Sequence, residues 1–127
     1  MESNMLVNCI AVGLGGFTGS ILRYLVSRME FQRSGNIPVN TLIVNIAGAV
    51  IIGFIIAYAK NYGMSEEKLL FLKVGLCGGL TTFSTFSVET LGFFESGNIL
   101  AGTAYALASV ALSLLGVIAG LKIGGMV

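Results

Sequence analysis

Asn45 carries a side-chain amide inside a run of 26 uncharged residues, Ser34 to Ala59. Thr41, Asn45 and Gly48 recur there at i, i+4 and i+7, which puts them on one helix face. Such an amide either donates its N–H to a ligand or hydrogen-bonds a neighbouring helix. Tyr105, Ser109 and Ser113 repeat at i, i+4 and i+8 in a second uncharged run and make a line of three hydroxyls. Those hydroxyls either meet a ligand or bond back to the carbonyl four residues earlier. A third polar set is Gly75-Leu-Cys-Gly-Gly-Leu-Thr-Thr-Phe-Ser-Thr-Phe-Ser87, with five hydroxyl residues between Gly78 and Ser87. Within it Phe83 and Phe86, at i and i+3, offer either ordinary packing or ring edges, the electropositive part of the aromatic quadrupole. N–H and O–H donors without a central carboxylate suit an anion better than a cation. With no His and only Cys9 and Cys77, zinc sites of the usual kind and Ser-His-Asp or Cys-His catalysis lack raw material, so no catalytic site is expected. Both Cys are expected as small buried thiols.

The elements that hold these residues follow from the distribution of charge. Of 127 residues 55% are apolar and 10% charged, with a mean hydropathy of +0.92, which departs from the balance of a soluble domain and marks a membrane protein. Uncharged runs extend from Ser3 to Leu22, Ser34 to Ala59, Val74 to Val88 and Ser96 to Leu121. About 20 helical residues cross a bilayer core, so four spans fit, the third taking in Lys73. The expected organisation is a single four-helix transmembrane domain, 1–127, with spans at about 5–27, 38–59, 68–91 and 98–122. The first run follows Glu2 rather than a basic segment and is longer than a signal-peptide core, so it reads as a permanent span.

Glycines followed by clustered hydroxyls at membrane depth predict a third helix broken near its middle, and a break frees carbonyls that can bind a cation. Arg23 and Glu89 are the two charges that fall deep within spans. They either pair, face an aqueous vestibule or sit at the interfaces. Gly15 and Gly19, Gly75 and Gly79, Gly116 and Gly120, and Gly120 and Gly124 are each spaced G-x-x-x-G, which predicts close helix packing and favours assembly. The Gly13 to Gly19 stretch has no preceding strand and is not read as a dinucleotide turn. Four even spans put both termini on one side, with Lys60, Lys68, Lys73 and Lys122 there against Arg23, Arg28 and Arg33 on the other. This near balance of basic residues allows either insertion in both orientations, whose opposed copies can pair as an antiparallel homodimer, or a single weakly biased orientation.

Gly15-Gly-Phe-Thr-Gly-Ser-Ile-Leu-Arg-Tyr24, Asn40-Thr-Leu-Ile-Val-Asn-Ile-Ala-Gly48 and the Gly75 to Ser87 stretch resemble three signature segments of the Fluc-type bacterial fluoride channels. The resemblance implies an all-α membrane protein that forms a dual-topology antiparallel homodimer with two pores, in the bacterial cytoplasmic membrane. By resemblance, Asn45 and Thr41 serve fluoride from span 2, and Phe83 and Phe86 supply ring edges. Tyr105, Ser109 and Ser113 form a polar track, and Ser84 and Thr85 meet the ion nearer a vestibule to which Arg23 also contributes. Gly78 and Thr81 lend backbone carbonyls to a structural Na+ at the dimer interface. The implied partners are a second copy, fluoride and membrane lipid, without nucleic acid.

The competing reading is a small dual-topology, proton-coupled multidrug or ion exporter. Such an exporter needs a titratable carboxylate midway along span 1, and none stands there. A non-transporting assembly subunit is a third class.

Overall fold

The structure, a computed structural model, describes residues 2–31 and 37–127; Arg33, counted above among the loop charges, lies outside them. The regular structure of the described residues is helical. Helix α1 (Glu2–Ser27) is followed by α2 (Val39–Tyr62). A short α3 (Glu66–Leu69) runs directly into a π-helical stretch, Leu70–Cys77, and an α turn, Gly78–Leu80. After two non-helical residues α4 (Phe83–Glu95) resumes, and α5 (Ile99–Met126) closes the chain. Asn4–Ser27, Val39–Tyr62, Glu66–Glu95 and Ile99–Met126 are each long and apolar enough to cross a membrane, the third being bent.

Local chemistry sets the boundaries. Ser65 caps α3 by accepting from the Lys68 N–H, with Glu66 and Glu67 in the positive first turn. Gly63, at φ 75°, ends α2, and Gly97, at φ 81°, turns the chain between α4 and α5. Both angles lie in the left-handed region that glycine enters without strain.

The third span breaks where Gly78 and Gly79, weak helix formers, meet two β-branched threonines. Thr81 (φ −86°, ψ 158°) and Thr82 (φ −148°, ψ 116°) are extended. Each closes one side of the break. The Thr81 N–H and hydroxyl both donate to the Cys77 carbonyl, at 3.0 and 2.9 Å, finishing the helix before it. Thr82 Oγ1 accepts from the Thr85 N–H at 3.2 Å and starts the helix after it.

Packing follows two glycine-lined pairs. Helix α1 lies against the first half of the third span, and a Cβ on Gly75 would stand 2.7 Å from the Val12 carbonyl oxygen, one on Gly79 2.6 Å from that of Gly16. Helix α2 lies along α5, where a Cβ on Gly124 would stand 2.6 Å from the Phe54 carbonyl oxygen; Gly53 and Gly120 press as closely on the facing backbone, and a Cβ on Gly116 would stand 3.2 Å from that of Ala49. The G-x-x-x-G pairs are therefore engaged within the chain, where backbone-to-backbone approach supplies the dispersion contacts that hold helices together in lipid. Of the two cysteines Cys77 is buried as expected, whereas Cys9 is exposed on the outer side of α1.

Candidate functional site at the broken helix

Thr41, Asn45 and Gly48 of α2 all meet the broken span. Thr41 Oγ1 donates to Glu89 Oε1 at 2.6 Å. Asn45 grips Thr82 at two points: its Oδ1 accepts from the Thr82 N–H at 2.8 Å, and its Nδ2 donates to the Thr82 carbonyl at 3.1 Å. Gly48 leaves room for the Thr81 side chain, which packs against it. The shared helix face of Thr41, Asn45 and Gly48 is thus a docking edge for the break. Asn45 satisfies both main-chain groups of an extended residue that would otherwise stand unpaired at membrane depth. Its amide orientation follows, because only one assignment lets oxygen accept and nitrogen donate. One Nδ2 hydrogen remains.

Asn45, Thr81, Thr82, Phe83, Phe86, Ser109 and Ser113 line one groove of about 370 Å³ between the break and α5, its other wall formed by Val110, Leu114 and Val117. Phe83 and Phe86 lie with ring centroids 5.6 Å apart, and Phe86 continues to Tyr105 at 5.4 Å. Tyr105 and Ser109 are only 4% and 7% exposed, and their hydroxyls have no hydrogen-bond partner among the described residues. A buried hydroxyl without a partner is costly, so these two stand ready for a ligand or water.

Thr41 and Thr85 lie apart from that groove. They line a second hollow of about 290 Å³ with Ser20, Arg23, Tyr24, Ser27, Asn40, Val44 and Thr82. Glu89 joins Thr41 and Thr85 on the adjoining outer side. Thr82 and Thr41 thereby connect the two regions, Thr82 by lining both hollows and Thr41 by sharing a helix face with Asn45. Arg23 and Glu89 do not pair: Arg23 Nε donates to the Gly79 carbonyl at 2.9 Å, while Glu89 takes the Thr41 hydroxyl. Ser84 lines neither hollow; it is exposed, 3.4 Å from the Thr82 hydroxyl. Gly78 is exposed as well, with nothing within 4 Å of where a Cβ would stand.

Two residues absent from the expected set shape the site. Thr82 is the partner of Asn45 and the cap of α4, and its signal was available as a threonine three residues before Thr85 at a helix restart. Asn40 Nδ2 donates to the Ser27 and Met29 carbonyls, 3.2 Å each, and so ties the end of α1 to the start of α2 beside the hollow. Nothing in the local sequence announces that bond.

The chain is similar to proteins of Clostridium novyi (50% identical over 124 residues, 96% of this chain and 97% of the relative) and Clostridium perfringens strain ATCC 13124 (45% over 120 residues, 93% and 94%). A protein of Rhizobium meliloti is 45% identical over 116 residues, 90% of this chain and 93% of its own length. Each of the three is named "Fluoride-specific ion channel FluC". Residues 10–121 match the family described as "CrcB-like protein, Camphor Resistance (CrcB)", a stretch that takes in α2, the broken span and most of α1 and α5, and the chain belongs to that family.

Proposed function

We propose that this protein is a passive, fluoride-selective channel, not an enzyme, through which cytoplasmic fluoride leaves a bacterial cell. The observation that carries this reading is the groove in which Asn45, two phenylalanines and Ser113 converge with the buried Ser109 hydroxyl, which like that of the nearby Tyr105 has no partner among the described residues. The relatives' shared name fits the same chemistry. Fluoride is small and strongly hydrated, and a pore must replace its water with close donors. The free Nδ2 hydrogen of Asn45, the hydroxyls of Tyr105, Ser109 and Ser113, and the ring edges of Phe83 and Phe86 are such groups. Thr41, Ser84 and Thr85 serve the ion nearer the mouth. Fluoride enters cells as uncharged HF from acid surroundings and is trapped as the anion. An open channel returns it down the membrane potential, about 2.3 kcal/mol per charge per 100 mV. The channel confers fluoride resistance in the cytoplasmic membrane.

The functional unit in this reading is an antiparallel dual-topology homodimer with two pores. Exposed apolar side chains are at home in lipid, but irregular backbone and hydroxyls are not. In the single chain Gly78, Ser84 and Thr85 are exposed beside the break, and Phe83 is 79% exposed. A second copy covering this surface removes that cost. Adding three Lys to one side of the chain should bias insertion. The biased protein is expected to be inactive alone and active with an oppositely biased partner; full activity alone counts against dual topology.

A structural Na+ at the interface also suits the donors available. The Gly79 and Thr82 carbonyls are taken by Arg23 and Asn45, and that of Cys77 accepts twice, whereas those of Gly78 and Thr81 accept no hydrogen bond among the described residues. Backbone carbonyls are hard oxygen ligands suited to an alkali cation. When bound, the ion holds these carbonyl dipoles together against their mutual repulsion.

Fluoride efflux from liposomes containing only this protein tests the reading. Fast efflux that responds to an imposed potential is expected, falling when sodium is exchanged for a large organic cation over hours. Slow proton-coupled movement supports an exporter instead, and no movement an assembly subunit. Efflux indifferent to sodium removal sinks the assignment at Gly78 and Thr81.

A further inference from the structure

We infer that Arg23 is a positioning residue for the broken helix, the side chain that sets the last turn before the break and with it the carbonyls on either side. This rests on the reading of Gly78 and Thr81 as cation ligands, and extends it to a different helix. Helix α1 touches that turn twice. Gly19 and Arg23 are one turn apart; Gly19 presses against the backbone around Gly79, and Arg23 Nε donates to the Gly79 carbonyl at 2.9 Å. Gly79 itself is pressed on α1, where its Cβ would stand 3.0 Å from the Ser20 nitrogen. Its peptide is therefore held twice by α1, once through packing and once through a charged donor.

The Gly79 carbonyl would otherwise be a loose helix-terminal acceptor, because its donor four residues on, the Phe83 N–H, lies beyond the extended Thr81 and Thr82. Satisfying it from α1 stops the turn from unwinding and holds the neighbouring Gly78 peptide in place. A guanidinium suits this task, since its planar N–H fork donates in a fixed direction. The alternative is that Arg23 acts only as a positive charge that draws anions into the hollow it lines.

Arg23→Ala and Arg23→Lys in the full-length protein distinguish the two. Two measurements are made: the sodium concentration that gives half-maximal fluoride efflux, and amide hydrogen exchange over residues 78–82 in the detergent-solubilised protein. For Arg23→Ala a sodium midpoint raised by about tenfold or more is expected, with exchange at Thr81 accelerated by a similar factor, as follows from losing a charge-assisted bond. Lys, which keeps the charge but swivels, should recover only part of either effect. Unchanged exchange at 78–82 in Arg23→Ala overturns the inference. So does a wild-type sodium midpoint in Arg23→Ala combined with weak efflux that Lys fully restores, the signature of charge alone. If the wild type ignores sodium, the cation reading fails by itself, and exchange alone decides whether Arg23 holds the turn.

Discussion

Replacing Asn45 by Asp is expected to lower fluoride efflux from liposomes by about a hundredfold or more. The substitution keeps the side chain's size and keeps one oxygen to accept the Thr82 N–H. It removes both N–H donors and replaces them with a negatively charged acceptor. In the proposed pore one donor is the group offered to the anion. The other is the partner of the Thr82 carbonyl, 3.1 Å away, which would then face a carboxylate oxygen. Repulsion at the break and loss of the fluoride donor act in the same direction. Asp is still the least disruptive way to remove the donor, since Ala would leave both Thr82 groups unpaired. Size-exclusion profiles of the same preparations identify the folded fraction. Wild-type efflux from folded Asn45→Asp protein would take Asn45 out of the pathway.

The second large effect is expected at the phenylalanines. Phe83→Ile and Phe86→Ile keep apolar bulk and lose the electropositive ring edge, and each should slow efflux by about tenfold. Exposure makes Phe83 the cleaner probe. At 79% exposed in the single chain it contributes little to intrachain packing, so Ile there cannot act by loosening the fold. Phe86 is half-buried between Phe83 and Tyr105, and its replacement also disturbs the buried hydroxyl behind it. If both rings merely pack, dimer yield falls in the size-exclusion profile while the surviving dimers conduct normally.

The four spans, the break and the polar lines were legible because each rests on a local regularity: charge-free length, a glycine pair before threonines, and spacings of four. Ser109, Ser113, Asn45, Phe83 and Phe86 converge because those spacings put them on helix faces that meet. What the sequence withheld depends on contacts between distant segments. The two-point bond between Asn45 and Thr82 crosses 37 positions, and the reach of Arg23 to Gly79 crosses 56. A polar side chain's partner in such cases is fixed by the packing of glycines elsewhere. The π-helical stretch at Leu70–Cys77 carries no signal in composition. Thr41 and Asn45, neighbours on one face, also divide between two hollows for a reason visible only in three dimensions: Thr82 of the broken span stands in the wall of both.

The engagement of the glycine stripes inside the chain has a consequence for biogenesis. If the proposed dimer is the working unit, each chain has already seated α1 on the third span and α2 on α5, and only the surface beside the break is left for its sister to cover. Newly inserted copies of either orientation would then drift in the bilayer as packed bundles until they collide. Pairing becomes a matter of mass action in two dimensions. The yield of working pores should rise with the square of the copy number at low expression, so a cell regulating transcription modestly would regulate conductance steeply.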